Sequence, residues 1–456
     1  MARIGDDEPA VQFSQKSSAT VQTLAPELLR EIFMHCVSND SDTDPRRSIR
    51  CLSQVPLLLG RVCRTWRVVV GTSPELWSNF TVGDRQFHHV DFEKDLEAAK
   101  HWISKSGSRP LSIAIHYPGI SSYGALLPPI LKFLVSQSWR WKDIKLTVPS
   151  GFEDIVLSPL AFGTRNLPQL VKFDSTITRK SSSAKFILSS APRLQFLRHS
   201  GDGPVHVDFG GGPHKIKQIG MRRTAKGKLS LADLFTCFTH CPLLENLVIP
   251  IWQSEMPRDE LPSSIELSYL THLSLRCSEG VDPHRLFGRL FLPVLISLEL
   301  FIIFSSDTDW PHLQTMLARS RPPLQNLCLR FVPMTELTLV GCLSCVPTLT
   351  ELELEGIECS DTILNALTVD EFKGDVNGSK NLCPWLETID FVNDVYSEFS
   401  RRAMKGMIIS RRKNANFARG KALTLIKCQS FNFDGIRSNP DIAECLKDGL
   451  VLIGCE

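Results

Sequence analysis

Residues 347–354, with the sequence PTLTELEL, decide the fold of this chain. Their leucines follow the spacing L-x-x-L-x-L, and the end of that pattern alternates apolar and polar residues as a β-strand with one buried face does. The same spacing recurs in PLLENLVI from Pro242, PVLISLEL from Pro293, PPLQNLCL from Pro322 and PWLETIDF from Pro384. Each copy therefore predicts one short strand.

Ten copies of this spacing follow one another along the chain. Successive copies are separated by 29, 24, 22, 28, 26, 25, 29, 25 and 37 residues. A period of about 20–29 residues, with one strand and one helical or irregular return in each turn, is typical of a leucine-rich repeat. The copies open at Trp141, Leu170, Leu194, Ile216, Leu244, Leu270, Leu295, Leu324, Leu349 and Leu386. The longest interval predicts a loop at 370–380.

These repeats predict an α/β fold, a solenoid of parallel strands with helical returns, in a leucine-rich-repeat domain over residues 86–456. Helical stretches are expected at 229–241 and 313–321, between copies. Before the first copy, 92–106 has the pattern of an amphipathic helix and 110–115 that of a strand. A last strand is expected at 423–426, followed by a capping segment. Residues 1–22 are polar and unpatterned, which predicts disorder.

A helical region precedes the repeats. In residues 56–77, PLLLGRVCRTWRVVVGTSPELW, positions 59, 62, 63 and 66 fall on one face of a helix. Ser73, Pro74 and Glu75 have the pattern of a helix cap, a first helical proline and an acidic first turn. Upstream, 24–33 (LAPELLREIF) predicts a helix that begins near Pro26 and carries an apolar stripe at 28, 29, 32 and 33.

The order L-x-P-E-L-L-x-x-I-F, then V-C-R-x-W-R, then P-x-L-W resembles the F-box-like domain, in its fungal form, over residues 23–85. The resemblance implies a small all-helical module that docks on a Skp-type adaptor and through it on a cullin. It implies that the chain is the substrate-recognition subunit of an SCF-type E3 ubiquitin ligase, with a protein substrate held by the repeats. Carried over by position, the adaptor-binding residues are Leu24, Pro26, Leu28, Leu29, Ile32, Phe33, Leu59, Val62, Cys63, Trp66, Leu76 and Trp77.

A second interpretation keeps the fold without the ligase. Ala25 stands where the family usually has proline, and a polar stretch at 38–48 with three aspartates separates the first two helices. Both features are compatible with a repeat scaffold that binds protein partners, in which the F-box-like module is only a cap of the solenoid.

Polar residues between the repeated leucines predict a charged concave face of the solenoid. Lys145 and Lys172 come first, followed by the candidate substrate-binding residues Arg198, Arg222, Arg276, Arg330, Glu351, Glu353, Glu355 and Asp390. As a set, a basic middle and an acidic end favour a partner with a matching charge split. The alternative is that each is an ordinary solvated strand position.

Composition and charge narrow the function further. The formal net charge of +2 gives no overall attraction to nucleic acid or membrane, and residues 1–20 lack the apolar core of a signal peptide. No stretch approaches about 18 uninterrupted apolar residues. We therefore expect a soluble protein of the cytoplasm or nucleus, with reduced cysteines and neither nucleic-acid nor membrane partners.

No motif in the sequence predicts catalysis. Cys342 and Cys345 form a single CxxC without the second half of a zinc site, and the twelve histidines contain no HExxH. The glycine-rich segments fit neither a phosphate loop nor a dinucleotide-binding turn. A basic concentration at 398–421 is better explained by a solvated helix than by a nucleic-acid patch. The sequence thus predicts a protein that is not an enzyme and holds no metal or cofactor.

Overall fold

The computed structural model describes residues 24–38, 49–83, 91–118, 126–161, 167–178, 183–222, 229–256, 262–303, 309–370, 381–392, 398–413 and 420–454. The predicted disorder of residues 1–22 lies outside these ranges, as do most residues of the polar stretch at 38–48 and of the predicted loop at 370–380. The chain divides into two compact units, residues 1–109 and 110–456.

The first unit is mainly helical. Its elements are α1 (Pro26–Ser38), a 3₁₀ turn (Leu59–Arg61), α2 (Arg64–Gly71), a second 3₁₀ turn (Pro74–Trp77), β1 (Asn79–Val82) and α3 (Phe92–Lys105). Aromatic contacts hold the unit together: the Phe33 and Trp66 ring centroids are 4.7 Å apart, and Trp102 of α3 lies 5.1 Å from Trp77 and 5.6 Å from Phe80. Because of these contacts α3 belongs to this unit, whereas the sequence placed the boundary near residue 85.

The helix predicted through residues 59–66 is interrupted. Cys63 is extended (φ −154°, ψ 175°), so the 3₁₀ turn ends before it and α2 begins after it. Its Sγ accepts a hydrogen bond from the backbone N–H of Trp66 (3.5 Å), as an N-cap side chain does. The prediction of one continuous helical face was therefore wrong: Leu59 is buried, whereas Val62 is exposed.

The short helical turn predicted from Ser73 is present, with Ser73 at the N-cap position, Pro74 as its first residue and Glu75 in its first turn, but Ser73 does not cap it through its side chain. The Ser73 hydroxyl donates to the backbone carbonyl of Val69 (2.7 Å), and its side chain makes no capping bond to the 3₁₀ turn that follows. The indole N–H of Trp77 donates to the Val70 carbonyl in the same way (2.9 Å). Both bonds connect the turn to carbonyls in the last turn of α2.

Most strands of the second unit belong to one parallel sheet. The strands are β2 (Leu111–His116), β3 (Trp141–Pro149), β4 (Lys172–Thr178), β5 (Ala184–Ile187), β6 (Phe196–Ser200), β7 (Val205–Asp208), β8 (Gln218–Arg222), β9 (Asn246–Ile251), β10 (Ile265–Glu266), β11 (His272–Cys277), β12 (Leu290–Phe291), β13 (Ser297–Ile302), β14 (Asn326–Arg330), β15 (Glu351–Glu355), β16 (Thr388–Val392), β17 (Leu425–Cys428) and β18 (Val451–Gly454). Within this unit the sheet order is β2-β3-β4-β6-β8-β9-β11-β13-β14-β15-β16-β17-β18. Two short parallel pairs, β5-β7 and β10-β12, lie apart from it.

Helices fill most of the returns between strands. They are α4 (Leu127–Ser136), α5 (Glu153–Val156), α6 (Ser158–Ala161), α7 (Leu231–His240), α8 (His284–Phe287), α9 (His312–Ser320), α10 (Glu336–Ser344), α11 (Asp361–Leu367), α12 (Arg401–Lys413), α13 (Asp434–Arg437) and α14 (Pro440–Lys447), with 3₁₀ turns at Ser138–Arg140 and Leu188–Ser190. The helices predicted at 229–241 and 313–321 correspond to α7 and α9. The result is a mixed α/β arrangement with a long parallel sheet, as a solenoid requires.

The repeated leucines set the register of the sheet. Each of the ten predicted copies supplies one strand, and adjacent strands pair leucine with leucine, as in Leu273 with Leu298 and Leu327 with Leu352. These side chains are buried, while the residues between them are exposed or half-buried. The side facing away from the buried leucines is called the outward face below. The sheet with its strand order confirms the parallel α/β part of the predicted fold.

One strand lies beyond the predicted end of the repeats. The strand expected at 423–426 is β17, and after α13 and α14 the chain adds β18, so the prediction of a last strand at 423–426 was wrong. The Val451 backbone N–H donates to the Thr424 carbonyl (2.9 Å) and continues the ladder. The sequence of β18, VLIG, is short and lacks the L-x-x-L-x-L spacing, so the repeat pattern did not predict this strand.

Carboxylates connect successive turns on the helical side. Asp309 accepts a hydrogen bond from the backbone N–H of Thr335, the N-cap of α10 (3.0 Å). Glu336 accepts from the backbone N–H of Ser360, the N-cap of α11 (2.7 Å), and Asp361 from that of the residue before α12 (2.7 Å). In each case an acid of one turn satisfies a donor at the positive end of the next helix.

Candidate interaction surfaces

The structure separates the residues predicted for adaptor binding into three groups. Buried ones form the core of the first unit: Leu29, Phe33, Leu59, Leu76 and Trp77. Half-buried ones are Leu24, Cys63 and Trp66. Exposed ones are Pro26, Leu28, Ile32 and Val62. The apolar stripe expected on α1 is thus two stripes, one packed within the chain and one at the surface.

The exposed group consists of large apolar side chains. Leu28 is 56% exposed, Ile32 47% and Val62 58%, although fully burying a side chain of this size is worth about 1.5–3 kcal/mol. Leu28 and Ile32 are one helical turn apart on α1 and so share a face. Leu58 and Val68 are also exposed in the same unit. We call Leu28, Ile32, Leu58, Val62 and Val68 the apolar surface set.

A carboxylate braces α1 against the second 3₁₀ turn. Glu75 forms ion pairs with Arg30 on α1 and with Arg109, both through Oε1. The other oxygen of Glu75 is buried and has no hydrogen-bond partner among the described residues. This ion pair joins α1 to the turn, while Leu29 and Phe33 are the α1 side chains that are buried and Leu28 and Ile32 remain exposed. The sequence identified Glu75 only as an acidic first-turn residue, because its partners are distant along the chain.

The charged residues predicted for substrate binding all lie on strands of the second unit, at exposed or half-buried positions. The acidic end is partly neutralised within the chain. Arg330 contacts Glu353 (2.5 Å) and lies 3.6 Å from Glu355, and Lys427 pairs with Asp390 (2.9 Å). The contrast between a basic middle and an acidic end of the outward face is therefore weaker than the sequence predicted. Glu351, at the start of β15, stays exposed.

The three arginines in the middle of the outward face differ from Arg330. No described carboxylate lies within 4.0 Å of the guanidinium of Arg198, Arg222 or Arg276. Arg198 donates to the amide oxygen of Gln218 (3.1 Å), and the Arg276 guanidinium lies 4.7 Å from the ring centroid of Phe301. Their positive charges are not balanced by any ion pair in the described part of the chain.

Two adjoining cavities open beside these arginines. The first has a volume of about 650 Å³ and is lined by Arg222, Arg276, Phe301 and Trp252, among others. The second, of about 450 Å³, lies beside Arg198 and shares Arg222 with the first. Volumes of this size fall within the range of ligand pockets. We call the two cavities together the arginine groove.

A buried serine–histidine pair lies on the other side of the sheet. Ser175 Oγ and His199 Nδ1 are 2.9 Å apart, and the His199 ring packs against Phe186 at a centroid distance of 5.3 Å. Burial lowers the pKa of His199 to about 4. His199 is only 2% exposed, and its hydrogen bond joins the neighbouring strands β4 and β6.

The cysteines of the repeats are mostly buried thiols. Burial raises the pKa of Cys277, of Cys342 and of Cys383 to about 12 in each case. Cys342, the first cysteine of the CxxC, is fully buried, whereas Cys345 is half-buried. Within the described residues, no group of three or more His, Cys, Asp or Glu side chains has the arrangement of a metal site.

The basic segment at 398–421 is paired in part. Arg411 is buried in α12, Arg412 pairs with Asp448 (2.7 Å), and Lys413 pairs with Asp441 (2.6 Å). Lys421 pairs in turn with Glu387 at 2.6 Å. Arg412 and Lys413 therefore connect α12 with the segment after it, and Lys421 connects with the residue before β16.

Two further observations complete the description. No helix in the described part of the chain combines the length and the hydropathy that crossing a bilayer requires. In comparisons with known proteins, no family model matches the chain and no curated protein is significantly similar to it.

Proposed function

We propose that this chain is the substrate-recognition subunit of an SCF-type E3 ubiquitin ligase, located in the cytoplasm or nucleus. In this proposal the first unit is an F-box-like module that docks on a Skp-type adaptor. The second unit is a leucine-rich-repeat solenoid that holds the protein to be ubiquitinated. The chain itself performs no chemistry: it raises the effective concentration of a substrate lysine beside a ubiquitin-loaded enzyme.

The observation that carries the proposal is the apolar surface set. Leu28, Ile32 and Val62 belong to the sequence motifs that resemble the F-box-like domain, yet they are exposed, while their neighbours Leu29 and Phe33 fill the core. Several exposed large apolar residues in one small unit favour a protein–protein interface. A helical partner that covered them would remove several large side chains from water, which is the main driving force of association.

The repeat unit supports the other half of the proposal. Its strands present one row of side chains after another on the outward face, in register for example from β13 to β15. Solenoids use such extended surfaces to bind protein partners. The unpaired arginines and the arginine groove lie on this face, so a substrate site and an adaptor site would use different units of the chain.

Co-expression with the cognate Skp-type adaptor tests the docking step. We expect tight binding by calorimetry for the wild-type chain, and a loss of about a hundredfold or more in the double variant Leu28→Asp/Ile32→Asp, because two charges would enter an apolar interface. The control is Leu337→Asp, which places one such charge at a leucine that is 77% exposed on α10. This control should bind as the wild type does.

Circular dichroism of each variant shows whether the fold is retained. Well-folded wild type that does not bind the adaptor would contradict the ligase proposal and favour the repeat scaffold. Equal losses in Leu337→Asp and in the double variant would show that the effect is not specific to α1.

A further inference from the structure

We propose that the arginine groove binds an extended acidic peptide segment of a partner protein, with its anionic group held between Arg222 and Arg276. This inference rests on the proposed function, since it names the class of segment that the repeat unit would recognise.

The first observation is that Arg222 and Arg276 form no ion pair with a described carboxylate. Several other cations on the strands and their flanks are matched by carboxylates: Lys217 with Glu245 (2.6 Å), Lys427 with Asp390 (2.9 Å), and Arg330 with Glu353 (2.5 Å). Arg222 and Arg276 have no such carboxylate among the described residues. A guanidinium carries five N–H donors and no acceptor, so the group that satisfies it is an acceptor, and an anion by preference.

The spacing of the two arginines is the second observation. Arg222 ends β8, and Arg276 lies near the end of β11, with only β9 between these strands. The pairing of β8 with β9 runs from Gln218 with Asn246 to Gly220 with Val248, two residues before Arg222. Continued by two residues, this register separates the two backbones by two interstrand steps, or about 10 Å, within reach of one oxyanion for two side chains of this length. Pro250 of β9 pairs with Arg276 in register and offers no charged side chain between them. One carboxylate or phosphoryl group would therefore bridge both guanidinium groups.

Stacking on Phe301 holds the Arg276 guanidinium in place for binding an anion. Its guanidinium lies 4.7 Å from the Phe301 centroid, and Phe301 packs edge-on against Phe331 at 5.4 Å. Phe331 fits closely over Gly356, where an added Cβ would come within 2.6 Å of its ring. A cation held over an aromatic face keeps the N–H donors at its edge available and loses less entropy on binding than a free side chain.

The lining of the cavity favours a peptide over a polyanion. Trp252, whose indole N–H has no acceptor among the described residues, and Val248 add apolar surface beside the arginines. Two carboxylates also line the cavity: Asp202, which is exposed, and Glu299, which accepts a hydrogen bond from Ser274 (2.8 Å). They would repel a ligand with charge along its whole length. A segment with an acidic residue next to an apolar one fits both features.

Selection from a phage-displayed library of random peptides tests the inference on the full chain. We expect enrichment of sequences that place Asp or Glu beside an apolar residue. The double variant Arg222→Gln/Arg276→Gln should lose about tenfold or more in affinity for a selected peptide, measured by fluorescence anisotropy. The matched control is Lys142→Gln/Lys145→Gln, which removes the same charge from exposed positions of β3, outside the cavities, and should leave affinity unchanged.

Three results would overturn the inference. They are selected peptides without acidic residues, an equal loss in the control variant, and tighter binding of a single-stranded oligonucleotide through the same two arginines. Replacing the acidic residue of a selected peptide by phosphoserine identifies the source of the oxyanion: tighter binding points to a phosphoryl group, and weaker binding to a carboxylate. Either result is in agreement with an anion between the arginines.

The two proposals fail separately. Adaptor binding by the arginine variant, measured in parallel, should equal that of the wild type, and the variant Leu28→Asp/Ile32→Asp should keep its affinity for the peptide. Loss of the acidic preference with intact adaptor binding contradicts only the groove. Absence of adaptor binding with intact peptide binding contradicts only the ligase role.

Discussion

Arg411 shows how one side chain supports several loops of the second unit. Its guanidinium donates to the backbone carbonyls of Leu367 (2.7 Å), Leu382 (2.7 Å) and Cys383 (2.9 Å), and it is 1% exposed. Burial lowers the pKa of Arg411 to about 10, so the group remains charged at neutral pH. A buried cation without a carboxylate is tolerated here because three carbonyl dipoles take the place of solvent.

Substituting Arg411 should therefore be costly. Arg411→Ala would leave three carbonyls without their donor, and we expect the free energy of unfolding to fall by about 2–4 kcal/mol, measured by urea denaturation. Arg402→Ala, at an exposed position of the same helix, is the control and should change it by less than about 0.5 kcal/mol. Similar values for the two variants would contradict the role given to the three hydrogen bonds.

His199 makes stability depend on pH. Burial lowers its pKa to about 4 from an ordinary value of 6.5. Between these values the unfolded chain binds a proton that the folded chain does not, so the free energy of unfolding falls as the pH falls through this window. The expected loss is about 2 kcal/mol between about pH 7 and about pH 5.

The variant His199→Leu tests this linkage. Its urea midpoint should change less between the two pH values than that of the wild type, because the group that titrates has been removed. His206→Gln, at an exposed position of β7, serves as the control and should keep the wild-type dependence. A wild-type slope in His199→Leu would assign the acid sensitivity to other groups.

At the scale of elements, the repeated leucines made most of the second unit predictable. A period of one strand per copy determines both the strands and their pairing, since a one-residue shift would turn every leucine outward. Features that depend on distant partners were not predictable. The break at Cys63, the brace at Glu75 and the strand β18 each depend on backbone or charge contacts that no local pattern encodes.

The same limit applies to the candidate sites. The sequence identified Leu28 and Leu29 alike as members of one stripe, and only packing shows which one is exposed. It also identified Arg276 and Arg330 alike as outward cations, although one stacks on Phe301 and the other pairs with Glu353. Position along a strand predicts the face of a residue, whereas its partners come from neighbouring turns.

The carboxylates between turns give a prediction for one element. Glu336 accepts hydrogen bonds from the backbone N–H groups of Ser360 (2.7 Å) and Ile363 (2.9 Å) at the start of α11. Glu336→Ala should lower the free energy of unfolding by about 1–2 kcal/mol, as the loss of a helix cap does. Hydrogen exchange should increase at the start of α11.

Glu358→Ala is the matched control, since it removes an exposed carboxylate close to the same helix. It should alter neither stability nor exchange by a measurable amount. If both variants were equally destabilised, net charge near α11 and not the hydrogen bonds would be the cause.

At the scale of the whole molecule, the second unit is a one-dimensional array. Each strand of its sheet pairs only with the strands before and after it in the sheet order. Stability in such an array is close to a sum of terms for single turns and for the contacts between neighbours. Local damage should therefore spread to adjacent turns and not to distant ones.

Leu354→Ala tests this property. Leu354 is buried in β15, and removing its side chain should cost about 2–5 kcal/mol. Hydrogen exchange followed by mass spectrometry should show the largest increase in β14, β15 and β16, and little change in β4. A uniform increase from β2 to β18 would mean that the unit unfolds as a single cooperative block.

The buried cysteines have a practical consequence. Their thiols are spread over several turns, for example Cys277 in β11, Cys342 in α10 and Cys383 before β16, and burial keeps them protonated and therefore unreactive. An alkylating reagent would modify each one only when its own turn opens. The order of labelling along the chain would then be a map of where unfolding begins, obtained from the natural protein without any inserted probe.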